Sequence, residues 1–234
     1  MVTTIQPAAD TKPRLPIEVC ESVIVAVYDD RYGLVPTALT TLSTCALVCR
    51  AWRPHAQKIL FRYVVLRDQD ALHRFAALLD ISPELGGHVR LLVLRGHLHV
   101  PSSPAVLFPT VLRGRLTMLL ELRIYEFDPT EKIVRPLPKG KKELPTLPIH
   151  RHFPSLLTSL SRIRTLKLWN IRFPSFGDFA RILQKLLDLE ELCCDLVSWA
   201  VLGQIPPFMA EFRPHGSRSP FLPQLQCLRV SVPI

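Results

Sequence analysis

Glycine is scarce in this chain, nine residues in 234, so there are few places where the backbone could approach a phosphate closely or turn through positive φ. None of the patterns Gly-x-x-x-x-Gly-Lys, Gly-x-Gly-x-x-Gly, His-Glu-x-x-His or Gly-x-Ser-x-Gly occurs. The sequence therefore offers no basis for phosphate-loop, dinucleotide, zinc-protease or nucleophile-elbow chemistry, and we expect no enzyme. No run comes near the roughly 18 uninterrupted apolar residues of a membrane span, and the first apolar stretch, 17 to 27, is broken by Glu18 and Glu21. Residues 1 to 13 are polar, without the hydrophobic core of a signal peptide. The six cysteines include no Cys-x-x-Cys pair, so zinc-type ligation by thiols is not expected and the thiols are read as small hydrophobes on apolar faces. Together these absences point to a soluble, intracellular protein of cytoplasm and/or nucleus, with no membrane partner.

What is abundant is proline: 22 of 234 residues, against a usual share near 5%, which predicts short elements and rigid turns. Hydrophobic residues at 48% and charged residues at 21% lie in the globular range, so most of the chain should fold. The formal net charge of +9 raises the possibility of a nucleic-acid partner. Its distribution argues against one. Arg50, Arg53, Arg62, Arg67, Arg74, Arg90 and Arg95 are scattered, and the one dense cluster, Lys139-Gly140-Lys141-Lys142, sits among prolines, where a solvated loop is the simpler reading.

Two histidine pairs invite a metal reading, His97-x-His99 and His150-x-His152, because residues two apart on a strand share a face. No carboxylate or cysteine sits nearby in sequence to complete either set. No metal and no cofactor are expected. Cys45 and Cys49, four apart on one helix, are read as core packing, and Cys193-Cys194 cannot both face one side of a strand.

The first segment with a definite pattern is Leu15-Pro16-Ile17-Glu18-Val19, where proline at a helix start and a carboxylate in the first turn both suit a helix N-terminus. Ile17, Cys20, Ile24 and Val27 then fall on one face. A second helix is expected over 42 to 52, with Cys45, Val48, Cys49 and Trp52 in a stripe before Pro54. A third begins at Pro54 and carries Ala56, Ile59, Leu60 and Phe61. The combination of Leu15-Pro16, the Cys-Ala-Leu-Val-Cys-Arg-Ala-Trp helix and Gln57-Lys58-Ile59-Leu60-Phe61 resembles the F-box, in particular the F-box proteins common in mushroom-forming fungi. The link from Asp29 to Pro36 is longer than that family's usual one. The resemblance implies a three-helix unit over 14 to 66 that binds the Skp-type adaptor of cullin-RING ubiquitin ligases, through Leu15, Pro16, Ile17, Val19, Leu47, Val48, Cys49 and Trp52. A unit of this size rarely stabilises itself, which also predicts that another chain covers part of it.

At its end Tyr63 to Leu66 reads as a strand, and beyond it Asp68 or Asp70 can cap a helix whose apolar side is Leu72, Phe75 and Leu79. Then one spacing recurs five times: Val89-x-x-Leu92-x-Leu94, Leu119-x-x-Leu122-x-Ile124, Ile163-x-x-Leu166-x-Leu168, Leu189-x-x-Leu192-x-Cys194 and Leu225-x-x-Leu228-x-Val230. A turn followed by alternating inward residues is what a leucine-rich-repeat strand needs, and helix-like pieces such as 176 to 187 lie between. The expected fold class is α/β: a flexible tail over 1 to 13, the F-box-like unit over 14 to 66, and an irregular leucine-rich-repeat-like solenoid of parallel strands over 67 to 234, without a C-terminal cap. Residues 128 to 154 and 206 to 223, both proline-rich, are expected to be surface loops on repeats.

The expected function is a non-catalytic substrate receptor of an SCF-type ubiquitin ligase, with the adaptor, and through it the cullin, on the helical unit and an unknown client on the repeats, leading to ubiquitin-dependent degradation. The alternatives are an F-box and repeat interaction protein with no client, or a basic nucleic-acid-associated repeat protein.

Overall fold

The structure, a computed structural model, describes residues 16–27, 36–126, 146–160, 162–201 and 224–231. The tail, Leu15, residues 28–35 of the long link, the basic cluster at 139–142, and most of the two proline-rich insertions lie outside the described residues. The chain divides into two units, Met1–Leu60 and Phe61–Ile234. Tyr63 to Leu66 therefore belongs to the second unit, not to the helical one.

The first unit holds α1 (Ile17–Ala26), α2 (Pro36–Val48) and α3 (Trp52–Leu60). Pro16 is the N-cap of α1, and its carbonyl accepts from Val19 N and Cys20 N. Helix α2 starts six positions earlier than expected, opening on Pro36, which has no N–H to leave unpaired at a first helical position. Trp52 opens α3 instead of closing α2. Pro54 had suggested a stop, but it stands in the first turn of α3, where the N–H it lacks has no intrahelical acceptor anyway. The core of this unit is small: Ile24, Leu42, Cys45 and Ala56, with Val27, Ala46, Trp52, Ile59 and Leu60 packed around them.

The second unit is built on a six-stranded parallel sheet whose strands follow one another in space as in sequence. They are β1 (Tyr63–Leu66), β2 (Leu91–Gly96), β3 (Glu121–Glu126), β4 (Thr165–Trp169), β6 (Glu191–Asp195) and the edge strand β8 (Cys227–Ser231). The recurring spacing lies in register across the sheet. Val64, Leu92, Leu122, Leu166, Leu192 and Leu228 form one continuous row, and Leu66, Leu94, Ile124, Leu168, Cys194 and Val230 a second. Phe61-x-x-Val64-x-Leu66 is thus a sixth copy of the pattern, hidden because Phe61 and Val64 replace the expected leucines.

The backbone repeats as faithfully as the side chains. The carbonyl just before each strand (Arg62, Arg90, Leu120, Arg164 and Glu190) accepts from two successive N–H groups of the next repeat. This closes the hydrogen bonds of the turn that leads into each strand.

The intervening helices are α4 (Gln69–Ile81), α5 (Pro104–Val111), α6 (Phe153–Leu156) and α7 (Phe176–Leu183). Asp68 caps α4, accepting from Ala71 N at 2.7 Å, and Ser175 caps α7 by accepting from Asp178 N. Leu72, Phe75 and Leu79 of α4, Phe108 of α5, Phe153 of α6 and Phe179, Ile182 and Leu183 of α7 close over the two inward rows as one core. Helix α7 is shorter than its apolar spacing suggested; Leu186 is buried from the turn that follows. The end of the first insertion is no surface loop: Leu147 and Phe153 are buried in the core, and Leu147 N donates to Arg172 O. Its prolines obscured an apolar rhythm that the core uses.

A second parallel pair, β5 (Arg172–Ser175) with β7 (Ser198–Val201), was not anticipated. Each follows a main strand through one left-handed residue, Asn170 or Leu196, both at φ 55°. Pro174 lies inside β5, and a proline is compatible with a strand only where its missing N–H is not needed.

Candidate functional site

A helical unit with so small a core leaves much apolar surface in solvent. Ile17 is 38% exposed and Val19 44%, while Leu47 and Val48, at the end of α2, reach 79% and 60%. Pro16 and Cys49 are exposed as well. Val23 and Val25 extend the exposed apolar side chains along α1. The cause lies in the periodicity of α1: Cys20 and Ile24 face inward at a spacing of four, and the remaining aliphatic residues of IEVCESVIVA point elsewhere.

Of the residues expected to bind an adaptor, Leu15 lies outside the described residues. Pro16, Ile17 and Val19 group at the start of α1, and Leu47 and Val48, the last residues of α2, form a contiguous exposed tip with Cys49 just beyond it. Helix α1 packs chiefly on α3, as α2 does. Trp52 differs from the rest. It is half-buried against the Ile24, Leu42, Cys45 and Ala56 core, so it holds the unit together. Cys49 corrects the reading of a thiol stripe: Cys45 is buried and Cys49 exposed, because α2 ends at Val48 and Cys49 is already outside it. A hydrogen-bonded contact between His55 Nε2 and Glu21 Oε1, 2.9 Å, joins α3 to α1 on the exposed side.

The open face of the six-stranded sheet is the second candidate surface. Alternation sends Tyr63, Leu91, Glu121, Thr165, Glu191 and Cys227 into one outward row, Val65, Val93, Arg123, Lys167, Cys193 and Arg229 into the next, and Arg95, Tyr125, Trp169 and Asp195 into a third. In the first two rows the β1–β2 side of this face carries Tyr63, Leu91, Val65 and Val93 and no charge. Its middle is ionic: Glu121 Oε1 accepts from Arg123 Nε at 2.6 Å and lies 3.2 Å from Lys167 Nζ. Tyr125 and Trp169 stand side by side above that cluster, and burial pushes the Tyr125 phenol up, so it remains a neutral donor. Aromatic side chains on neighbouring strands, in the row next to Arg123 and Lys167, form a surface that can take aromatic, amide and carboxylate groups of a protein partner.

Two thiols of the sheet, Cys193 and Cys194, are poor nucleophiles. Burial pushes Cys194 up to about 12, and Cys193 is raised by burial and by its contact with Glu191. The rings of His150 and His152 lie 5.1 Å apart and tilted by 45°, with no third ligand grouped with them among the described residues. No described helix is long and apolar enough to cross a membrane. No protein-family model matches the chain, and no curated protein matches it either.

Proposed function

We propose that this chain is a non-catalytic substrate receptor of an SCF-type ubiquitin ligase, in which an F-box-like helical unit holds a Skp-type adaptor and a leucine-rich-repeat-like region holds a client. The observation that carries the reading is the exposure of Ile17, Val19, Leu47 and Val48 on a three-helix unit whose fully buried core is a handful of residues. Such a unit gains stability when another chain covers that surface. The sequence resemblance names the adaptor as that chain. The open sheet face, with Tyr125 and Trp169 beside Arg123 and Lys167, supports a protein client on the second unit.

The receptor's contribution under this reading is effective concentration. Client and ubiquitin-conjugating enzyme are held in one assembly, so that lysine transfer becomes a local event. Leu47 and Val48 make apolar contacts with the adaptor, while Trp52 maintains the helices that present them.

The test is reconstitution of the full chain with adaptor, cullin and RING subunits, followed by recovery of the proteins it captures. Captured proteins should carry ubiquitin with the wild-type chain and lack it with Leu47→Asp/Val48→Asp. Equal ubiquitylation by both would remove the adaptor-bound receptor as the explanation. Capture without ubiquitin by the wild type would leave an interaction protein with no ligase client.

A further inference from the structure

The turn after β2 contains His97-Leu98-His99, and the neighbouring strand β3 ends at Glu126. One ligand atom from each of His97, His99 and Glu126 lies within 4.8 Å of the others. His99 Nδ1 is already 3.3 Å from Glu126 Oε1. In a tetrahedral zinc site with bonds near 2.0–2.1 Å, neighbouring donor atoms stand about 3.3 Å apart. One pair is therefore at ligand spacing, and the third needs only a side-chain rotation of an exposed imidazole. From these distances we propose that His97, His99 and Glu126 form a binding site for a divalent transition metal, zinc foremost.

The surroundings fit that role in three independent ways. Glu126 is 7% exposed, and a carboxylate so placed requires a cation or a full set of donors around it. Its Oε2 accepts from Leu98 N at 2.8 Å, which fixes the plane of the group and leaves Oε1 directed at His99, the orienting contact that metal-ligating carboxylates typically have. The turn that delivers the histidines is fixed as well. Gly96 has φ 121°, and a Cβ there would come within 2.5 Å of Arg67 O, so only glycine permits the chain to turn sharply from β2 into His97.

The cluster lies just beyond the carboxyl ends of the adjacent strands β2 and β3. A small cavity lined by Leu98, His99, Glu126, Leu147, Asn170, Ile171 and Arg172 adjoins the cluster, with a volume near 10 Å³. That is room for about one water. Two imidazole nitrogens and one carboxylate oxygen select zinc, cobalt, nickel or copper over magnesium or calcium. The fourth position faces solvent, since both histidines are exposed, and water completes the shell.

The competing arrangement is a metal-free one in which His99 and the Leu98 N–H satisfy Glu126. Calorimetric titration of zinc into the metal-free full chain distinguishes the two, with cobalt(II) as an optical probe of the donor set. The proposal expects one zinc per chain, cobalt d–d bands of a four-coordinate site without the charge-transfer band of a thiolate, and about tenfold or greater weakening in each of His97→Ala, His99→Ala and Glu126→Gln. Glu126→Gln keeps an acceptor for Leu98 N, and circular dichroism verifies that each variant is folded. His150→Ala/His152→Ala should bind as the wild type does. Absence of stoichiometric uptake, a thiolate-to-cobalt band, or zinc affinity unchanged in folded His99→Ala would overturn it.

Discussion

Leu166 on β4 lies directly opposite Leu122 on β3 in the parallel ladder, although the proline-rich insertion separates the two strands in sequence. Both are nearly inaccessible, at 2% and 3% exposure. The insertion adds chain without moving register, because a shift of one residue would turn every inward leucine of β4 outward. Leu166→Ala is expected to cost about 2–5 kcal/mol in urea unfolding, the range for truncating a packed leucine. The equivalent Leu228→Ala, at a residue 45% exposed, should cost far less. Equal losses at the two positions would contradict the burial gradient along the row.

The same row shows what could be read before the structure. Five copies of the spacing were legible because leucine, isoleucine and valine recur at fixed offsets, and the parallel α/β sheet followed from them. The sixth copy was missed because Phe61 was assigned to the preceding helix, so the strand read over Tyr63 to Leu66 was not connected with the recurring spacing. The β5–β7 pair was missed because its strands are four residues long and one contains Pro174. Trp52 was placed on the wrong helix because a proline two positions on looks like a stop, although the first helical turn tolerates it. Glu126 as a companion of His97 and His99 could not be read at all: the contact joins neighbouring strands, and no local signal marks it.

Leu196 adopts φ 55°, a conformation that costs a leucine roughly 1–2 kcal/mol and that asparagine adopts more readily. Asn170 occupies the matching position one repeat earlier with the same φ. Leu196→Asn should therefore raise the thermal midpoint by a few degrees, about 2–4 °C per kcal/mol for a chain of this size. A lower midpoint would show that packing of the half-buried Leu196 side chain outweighs the backbone strain.

Gly86 packs where a Cβ would collide with the Arg115 carbonyl oxygen. Gly86→Ala must displace backbone, and a loss of more than about 1 kcal/mol is expected from chemical unfolding. Gly87, the next residue, has open space around the same position. Gly87→Ala should leave stability within about 0.5 kcal/mol of the wild type.

Cysteine reactivity should order as the burial does. Cys49 is exposed and Cys194 is buried with its thiol pushed up to about 12, so at pH 8 its thiolate fraction is about one in ten thousand. Alkylation followed by peptide mass spectrometry should label Cys49 first and Cys194 only on unfolding. Linkage gives the pH sign: the folded-state value lies above the ordinary 9.0, so the stability contributed by neutral Cys194 is intact below about pH 9 and is lost as pH rises toward 12. Cys194→Val should flatten that alkaline loss relative to the wild type.

Neutralising Lys139, Lys141 and Lys142 to alanine separates the receptor reading from a basic nucleic-acid-associated one. Adaptor binding should be unchanged. A chain whose cellular role disappears with these charges, while its adaptor complex persists, would shift the assignment toward nucleic acid.

The most direct measurement is calorimetric titration of a Skp-type adaptor into the full chain. The account predicts a one-to-one complex for the wild type, and loss of binding in Leu47→Asp/Val48→Asp with the helical and sheet signals of the free protein retained. Trp52→Ala should lose helix content together with binding, since Trp52 packs on the Ile24 and Leu42 core. A folded wild-type chain that gives no heat of binding, or a double variant that binds as tightly as the wild type, would contradict the adaptor-binding role of this helical unit.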